Sequence, residues 1–134
     1  MASLEEFARR IRRRGDQVED GTEKLLRKTF VAVGAAVVPA TPVDTGRARG
    51  AWLPGVNANP GGEGSPDPSG QTAIASITST GGQLRLNQVG VIANNVPYIG
   101  RLNEGSSKQA PANFVQKAAQ TGQRTAQSTR ILKR

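Results

Sequence analysis

SLEEFARRIRRRGDQVEDGTEKLLRKTFVAVGAAVV, residues 3–38, decides the architecture. Leu4, Ile11, Val18 and Leu25 recur every seven residues, joined by Phe7. From Leu25 the stripe widens through Leu26, Phe30, Val33 and Val37. This spacing keeps apolar side chains on one face of a helix. Ser3 and Glu6 have the spacing of a capping box at its start. Pro39 and Pro42 stop it, so the pattern predicts one long helix to about Val38. Gly15 and Gly21 weaken its middle by about 1 kcal/mol each relative to alanine, which marks a place to bend or break.

Outward from that helix, Arg47–Leu53, around Trp52, suits a strand. Residues 54–71 hold four Pro and five Gly. They read as one long mobile loop, either a disordered insertion or an arm that orders when subunits assemble. Ser69 is a candidate cap for a short helix over Thr72–Thr80, where isoleucine and threonine suit a strand as well. Leu84, Leu86, Val89, Val91 and Ile92 look like strand material. Pro97 fits the first turn of a short helix through Tyr98, Ile99 and Leu102, ended by Gly105. A last helix is expected from Pro111 into the 120s, with Phe114, Val115, Ala118 and Ala119 inward. Beyond Thr125 a basic, flexible tail is expected. Helix first, strands in the middle and helix last predict a single α+β domain over residues 1–134. In it a long N-terminal helix leads into a small antiparallel sheet that carries the short and C-terminal helices.

Composition narrows the function. The net charge is +8 and aromatics are only 4% of residues. The basic excess favours an acidic partner, whether nucleic acid or a protein surface. After Glu104 the chain carries Lys108, Lys117, Arg124, Arg130, Lys133 and Arg134 and no acid. Arg9, Arg10, Arg12, Arg13 and Arg14 crowd the first helix. They form either a solvated face balanced by Glu5, Glu6, Asp16, Glu19 and Asp20, or a contact with DNA or an acidic neighbour. The chain holds no cysteine and no histidine. Disulfides, thiolate metal sites and the commonest general base are therefore excluded. No apolar run spans a bilayer, and acids precede the first apolar stretch, so a soluble protein made in a cytoplasm is expected. No cofactor or metal site is expected.

Two short motifs are decoys. Asp44-Thr45-Gly46 is the triplet of aspartic proteases, whose chemistry needs two carboxylates sharing a proton. Here it follows Thr41-Pro42-Val43, just past a helix end, where Asp44 suits a turn that accepts backbone N–H groups and Gly46 supplies unusual dihedrals. Gly61-Gly62-Glu63-Gly64 lacks the Gly-Lys-Ser/Thr ending of a phosphate loop and sets an acid where phosphate would sit.

Two segments taken together resemble the tail-completion, or minor tail-component, proteins of the neck region of long-tailed phages. The first is Ala40 to Trp52, with Pro42, Val43, Asp44, Thr45, Gly46 and Arg47. The second is Asn94 to Pro111. It contains Asn94, Asn95, Pro97, Tyr98, Leu102, Glu104 and Gly105, then Ser107, Lys108, Gln109, Ala110 and Pro111. Asn103 stands where that family often has Glu, and Asn113 where Gly is common. The resemblance implies a non-catalytic virion subunit, contacting copies of itself in a ring of six. Its other partners would be the tail tube or tail terminator and the head–tail connector, with DNA passing through the lumen. Tyr98, Trp52 and Leu102 form either a small core under the Pro-Tyr turn or part of an interface. The alternative without the resemblance is a basic nucleic-acid-binding protein, which the shortage of aromatics for base stacking disfavours.

Overall fold

A computed structural model describes residues 3–105 and 112–132. Helix α1 runs from Leu4 to Ala40. Ser3 Oγ accepts from the Glu6 amide at 3.1 Å, and Glu5 and Glu6 place negative charge on the first turn. The helix continues through Gly15 and Gly21 without a break and takes Pro39 into its final turn. Gly21 is buried because the chain's own C-terminal segment crosses it: a Cβ there would overlap the Ile131 carbonyl.

Only the second half of α1 builds the core. Phe30, Val37 and Val38 pack with Trp52, Ala73, Ile77, Leu84, Phe114 and Ala118. A helical turn α2 (Arg47–Gly50) leads into strand β1 (Trp52–Val56). Helix α3 (Gln71–Gly81) follows, then strand β2 (Gly90–Asn94). Helices α4 (Ile99–Asn103) and α5 (Phe114–Ser128) complete the order. The strands pair antiparallel, with Trp52 opposite Asn94, Pro54 opposite Ile92 and Val56 opposite Gly90. The expected α+β class and element order are observed. Helix α5 lies chiefly along α1, and α3 is the helix that meets the sheet.

Several boundaries move for identifiable reasons. Arg47–Leu53 is not one strand: Arg47–Gly50 coils into α2, and the strand begins at Trp52 and extends into Pro54-Gly55-Val56. Leu84 and Leu86 are outside β2 because α1 takes their backbone. Arg27 Nε donates to the Leu84 carbonyl at 2.8 Å, and Glu23 accepts from the Leu86 amide at 3.4 Å. Val89 precedes the strand and is exposed. Gly70, not Ser69, is the N-cap position of α3. Asp67 and Ser69 share the capping: Asp67 accepts from the Thr72 amide at 3.0 Å and from the Ser69 amide and hydroxyl, and the Ser69 hydroxyl oxygen accepts from the Gln71 amide at 3.2 Å. Helix α5 reaches Ser128, beyond the expected tail boundary at Thr125. Ala119 faces outward, while Phe114 and Ala118 are buried. Pro97 sits in the turn before α4, Tyr98 takes its N-cap position, and Gly105 follows it with φ +97°.

Two glycines set the helix spacing. A Cβ on Gly34 would overlap the Ile77 side chain of α3, and one on Gly122 would overlap Val33 of α1. Ile77 is 1% exposed and cannot move aside. Gly34→Ala and Gly122→Ala should therefore each lower stability by about 1–3 kcal/mol through overpacking. Gly15 has open space around its Cβ position, so Gly15→Ala should raise stability by about 0.5–1 kcal/mol. Urea unfolding midpoints compare the three.

Candidate functional site

The C-terminal end of α1 anchors the region where both recognised segments meet. Thr41 is fully buried, and its hydroxyl donates to the Val37 carbonyl at 2.7 Å. The same oxygen accepts from Trp52 Nε1 at 2.8 Å. Arg49 closes the knot. Its Nη2 donates to the Thr41 and Pro39 carbonyls at 2.8 and 3.1 Å, and its Nη1 reaches the Pro68 carbonyl at 3.0 Å. A helix ends with unpaired carbonyls, and here one guanidinium satisfies two at the helix end while holding the following loop.

The loop from Asn57 to Gly70 is laid against this knot. Gly46 adopts φ +83° directly against Pro68, and its carbonyl accepts from the Asp67 amide at 3.0 Å. Arg47 grips Glu63 with two bonds, at 2.9 and 2.7 Å. That pairing lowers the Glu63 carboxyl below its ordinary range and raises Arg47, by hydrogen bonding first and charge second. Asn95 Nδ2 donates to the Gly62 carbonyl at 2.9 Å, and Asn94 Nδ2 to the Ala48 carbonyl at 2.8 Å. The Asn-Asn pair thus ties the end of β2 to the loop and to α2.

On the outer side lies an open cavity of about 180 Å³. Pro42, Val43, Asp44, Thr45, Arg47 and Ala48 line one wall, and Tyr98 and Leu102 the other. The Arg47 guanidinium sits 5.4 Å from the centre of the Tyr98 ring, within reach of a cation–π contact. Arg47 therefore joins the loop acid, the first segment and the second segment. Trp52 belongs to the core and Leu102 packs at its edge. Tyr98 is half-buried on the cavity wall, so the three do not form one small core.

Thr45, rather than Asp44, provides the turn's side-chain acceptor, taking the Arg47 amide at 3.3 Å. Asp44 is exposed and, among the described residues, is the only carboxylate on the cavity wall. Pro97, Glu104 and Gly105 lie outside the cavity lining. Ser107, Lys108, Gln109, Ala110 and Pro111 fall outside the described residues. Asn103 joins α4 to α5: its Oδ1 accepts from the Val115 amide at 3.0 Å, and its Nδ2 donates to Gln116. Asn113 adopts φ +66°, a conformation that Asn tolerates better than most residues. Among the described residues no group of acidic side chains could hold a metal ion. None of their helices is long and apolar enough to cross a membrane.

Sequence reasoning did not single out Thr41, Arg49, Glu63 or Asp67. Thr41 and Arg49 stand inside the first segment, but a sequence does not say which carbonyls an arginine will find. Glu63 and Asp67 are the only acids between Asp44 and Glu104, which was the available signal. The chain matches no family model, no curated protein and no solved structure.

Two outcomes follow. Arg49→Lys keeps the charge but cannot serve three carbonyls with a planar fork. It should cost about 1–3 kcal/mol in urea unfolding, from the backbone acceptors left unpaired. Asp67 is pulled from 3.8 to about 2, mainly by the Ser69 hydroxyl and then the Thr72 amide. A depressed carboxyl stabilises the fold above its unfolded value and loses that contribution as pH falls through its folded one. Wild-type thermal midpoints should therefore fall between about pH 4 and pH 2 more steeply than those of Asp67→Asn.

Proposed function

We propose that this chain is a structural subunit of a tailed-phage particle and has no catalytic role. Within that class, we assign it as a tail-completion protein forming a ring at the head-proximal end of the tail. The observation that supports this reading is the meeting of the two recognised segments. Pro42–Ala48 and Tyr98–Leu102 lie far apart in sequence yet line one cavity, joined by Arg47 over Tyr98. Part of each segment thus shares one surface, held from below by Asn94, Asn95 and Arg49.

The chemistry of that surface suits contact rather than turnover. Its wall offers one carboxylate, Asp44, whereas an aspartic protease needs a pair. An aromatic, an arginine and apolar side chains around a shallow depression are what a protein interface concentrates. Identical subunits that dock such a face onto a different face of a neighbour form a ring when the rotation between them closes. The expected neighbours are further copies, six in all, with the tail tube or terminator on one side and the head-side connector on the other.

Electron microscopy of virions labelled on this subunit should show the label at the head–tail junction, and a junction without label would refute the assignment. Deleting the gene should leave filled heads and separate or aberrant tails. Tyr98→Ala should reduce joined particles by about tenfold or more, as loss of an interface aromatic does, while the purified variant keeps its melting midpoint.

A further inference from the structure

The N-terminal half of α1 projects from the body with its apolar stripe uncovered. From Ser3 to Asp20 every residue is exposed except half-buried Ala8. Leu4, Phe7, Ile11 and Val18 lie along one side and are 87, 57, 56 and 40% exposed. Leu4–Asp20 spans about 25 Å at roughly 1.5 Å per residue. A free helix of that length is marginal in water, and an apolar stripe rimmed by charge marks a contact surface. The stripe continues the seam that α1 shares with the C-terminal part of the chain, where Gly21 meets Ile131 and Val33 meets Gly122.

We infer that this segment pairs antiparallel with the same segment of a second copy, about a two-fold axis between Arg14 and Gly15. In that register Leu4 lies opposite Leu25 of the second copy, and Ile11 opposite Val18. The two-fold axis sets each edge of the stripe against the same edge of the other helix. At about 100° per residue, Arg12 and Glu19 share one edge of the stripe. Arg12 then meets Glu19 of the second copy, and symmetry repeats the contact. An axis at Ile11 would instead bring both Arg10 and Arg12 against their own counterparts, whereas the axis beside Arg14 brings only Arg14 against its own. Gly15 has nothing within 4 Å of its Cβ position, which leaves room for a close approach at the axis. Arg14 lies beside the axis and can lead its charge outward along its aliphatic stem.

The charge count selects a second copy over other partners. Leu4–Lys24 holds six basic and six acidic side chains. Two such segments meet without net repulsion, although the whole chain carries +8. An acidic surface or a nucleic acid would leave Glu5, Glu6, Asp16, Glu19 and Asp20 unmatched. This pairing goes beyond the ring reading and does not rest on it, since it concerns the free subunit.

The test uses the full chain in solution, so results on particles do not bear on it. Sedimentation over roughly 1–100 µM should give twice the 14.1 kDa chain mass. Ile11→Glu should weaken the dimer by at least about 100-fold, as a charge buried at a contact centre does. Its melting transition should be retained, because Ile11 touches no core residue. Arg12→Glu should weaken the dimer, and Arg12→Glu with Glu19→Arg should restore it. The chain has no native cysteine, so introduced thiols report the register. Ile11→Cys protein should link on oxidation to Val18→Cys protein and not to itself. A monomer throughout the concentration range overturns the inference. So does Ile11→Cys linking to itself as readily as to Val18→Cys.

Discussion

The structure depends on how α1 ends. A helix of 37 residues finishes inside the molecule, at a proline, where its last carbonyls have no partner along the chain. Thr41 and Arg49 resolve this. The Thr41 hydroxyl donates back to Val37 and accepts from Trp52, so the helix end and the first strand share one oxygen. Arg49 spans the Pro39, Thr41 and Pro68 carbonyls and so sets the loop against α2. With that end fixed, Trp52 enters the core, β1 takes its register with β2, and Asn94 reaches the Ala48 carbonyl. The cavity between the two recognised segments is the outer side of the same knot.

Close approach is the second constraint. The core has few aromatic side chains, and its helices compensate by packing backbone against side chain. Ile77 fills the space over Gly34, and Val33 the space over Gly122. Dense packing of this kind carries much of the stability when the core is small. It also explains the asymmetry of α1. From Gly21 onward the helix meets α3, α5 and the C-terminal segment, whereas before Gly21 it is exposed apart from half-buried Ala8, with only Gln17 and Asp20 near the C-terminal segment among the described residues. The chain uses only the second half of its longest helix for its own core and leaves the first half exposed.

These two features bear on function in different ways. The cavity with Arg47, Tyr98 and Asp44 lies on the packed body of the fold, the surface proposed to meet a fixed neighbour. The projecting helix stands clear of that body and balances its own charge. Under the proposed assembly role, the first would fit a defined site and the second would hold the free protein until that site is available.

Much of the architecture was legible in the residues alone. The seven-residue spacing from Leu4 to Leu25 and the widening stripe to Val37 announce α1, and Ser3 announces its start. Residues 72–80 suggest α3 but leave a strand open, and Phe114 with Ala118 place the inner face of α5. These signals are local: period, cap and breaker lie within a few residues of what they determine. The pairing of distant groups was not legible. Arg47–Gly50 reads as strand because its helical turn is held by Gly46 against Pro68, a contact across the loop. Leu84 reads as strand because nothing near it in sequence reveals that Arg27 will take its carbonyl. Glu63 reads as loop filler until Arg47 reaches it. The sequence by itself determined the long helix, the α+β class and the order of the main elements. Tertiary structure alone decided that α2 coils, that parts of the two segments share one surface and that half of α1 stays bare, because hydrogen bonds and packing between distant residues depend on where the chain returns.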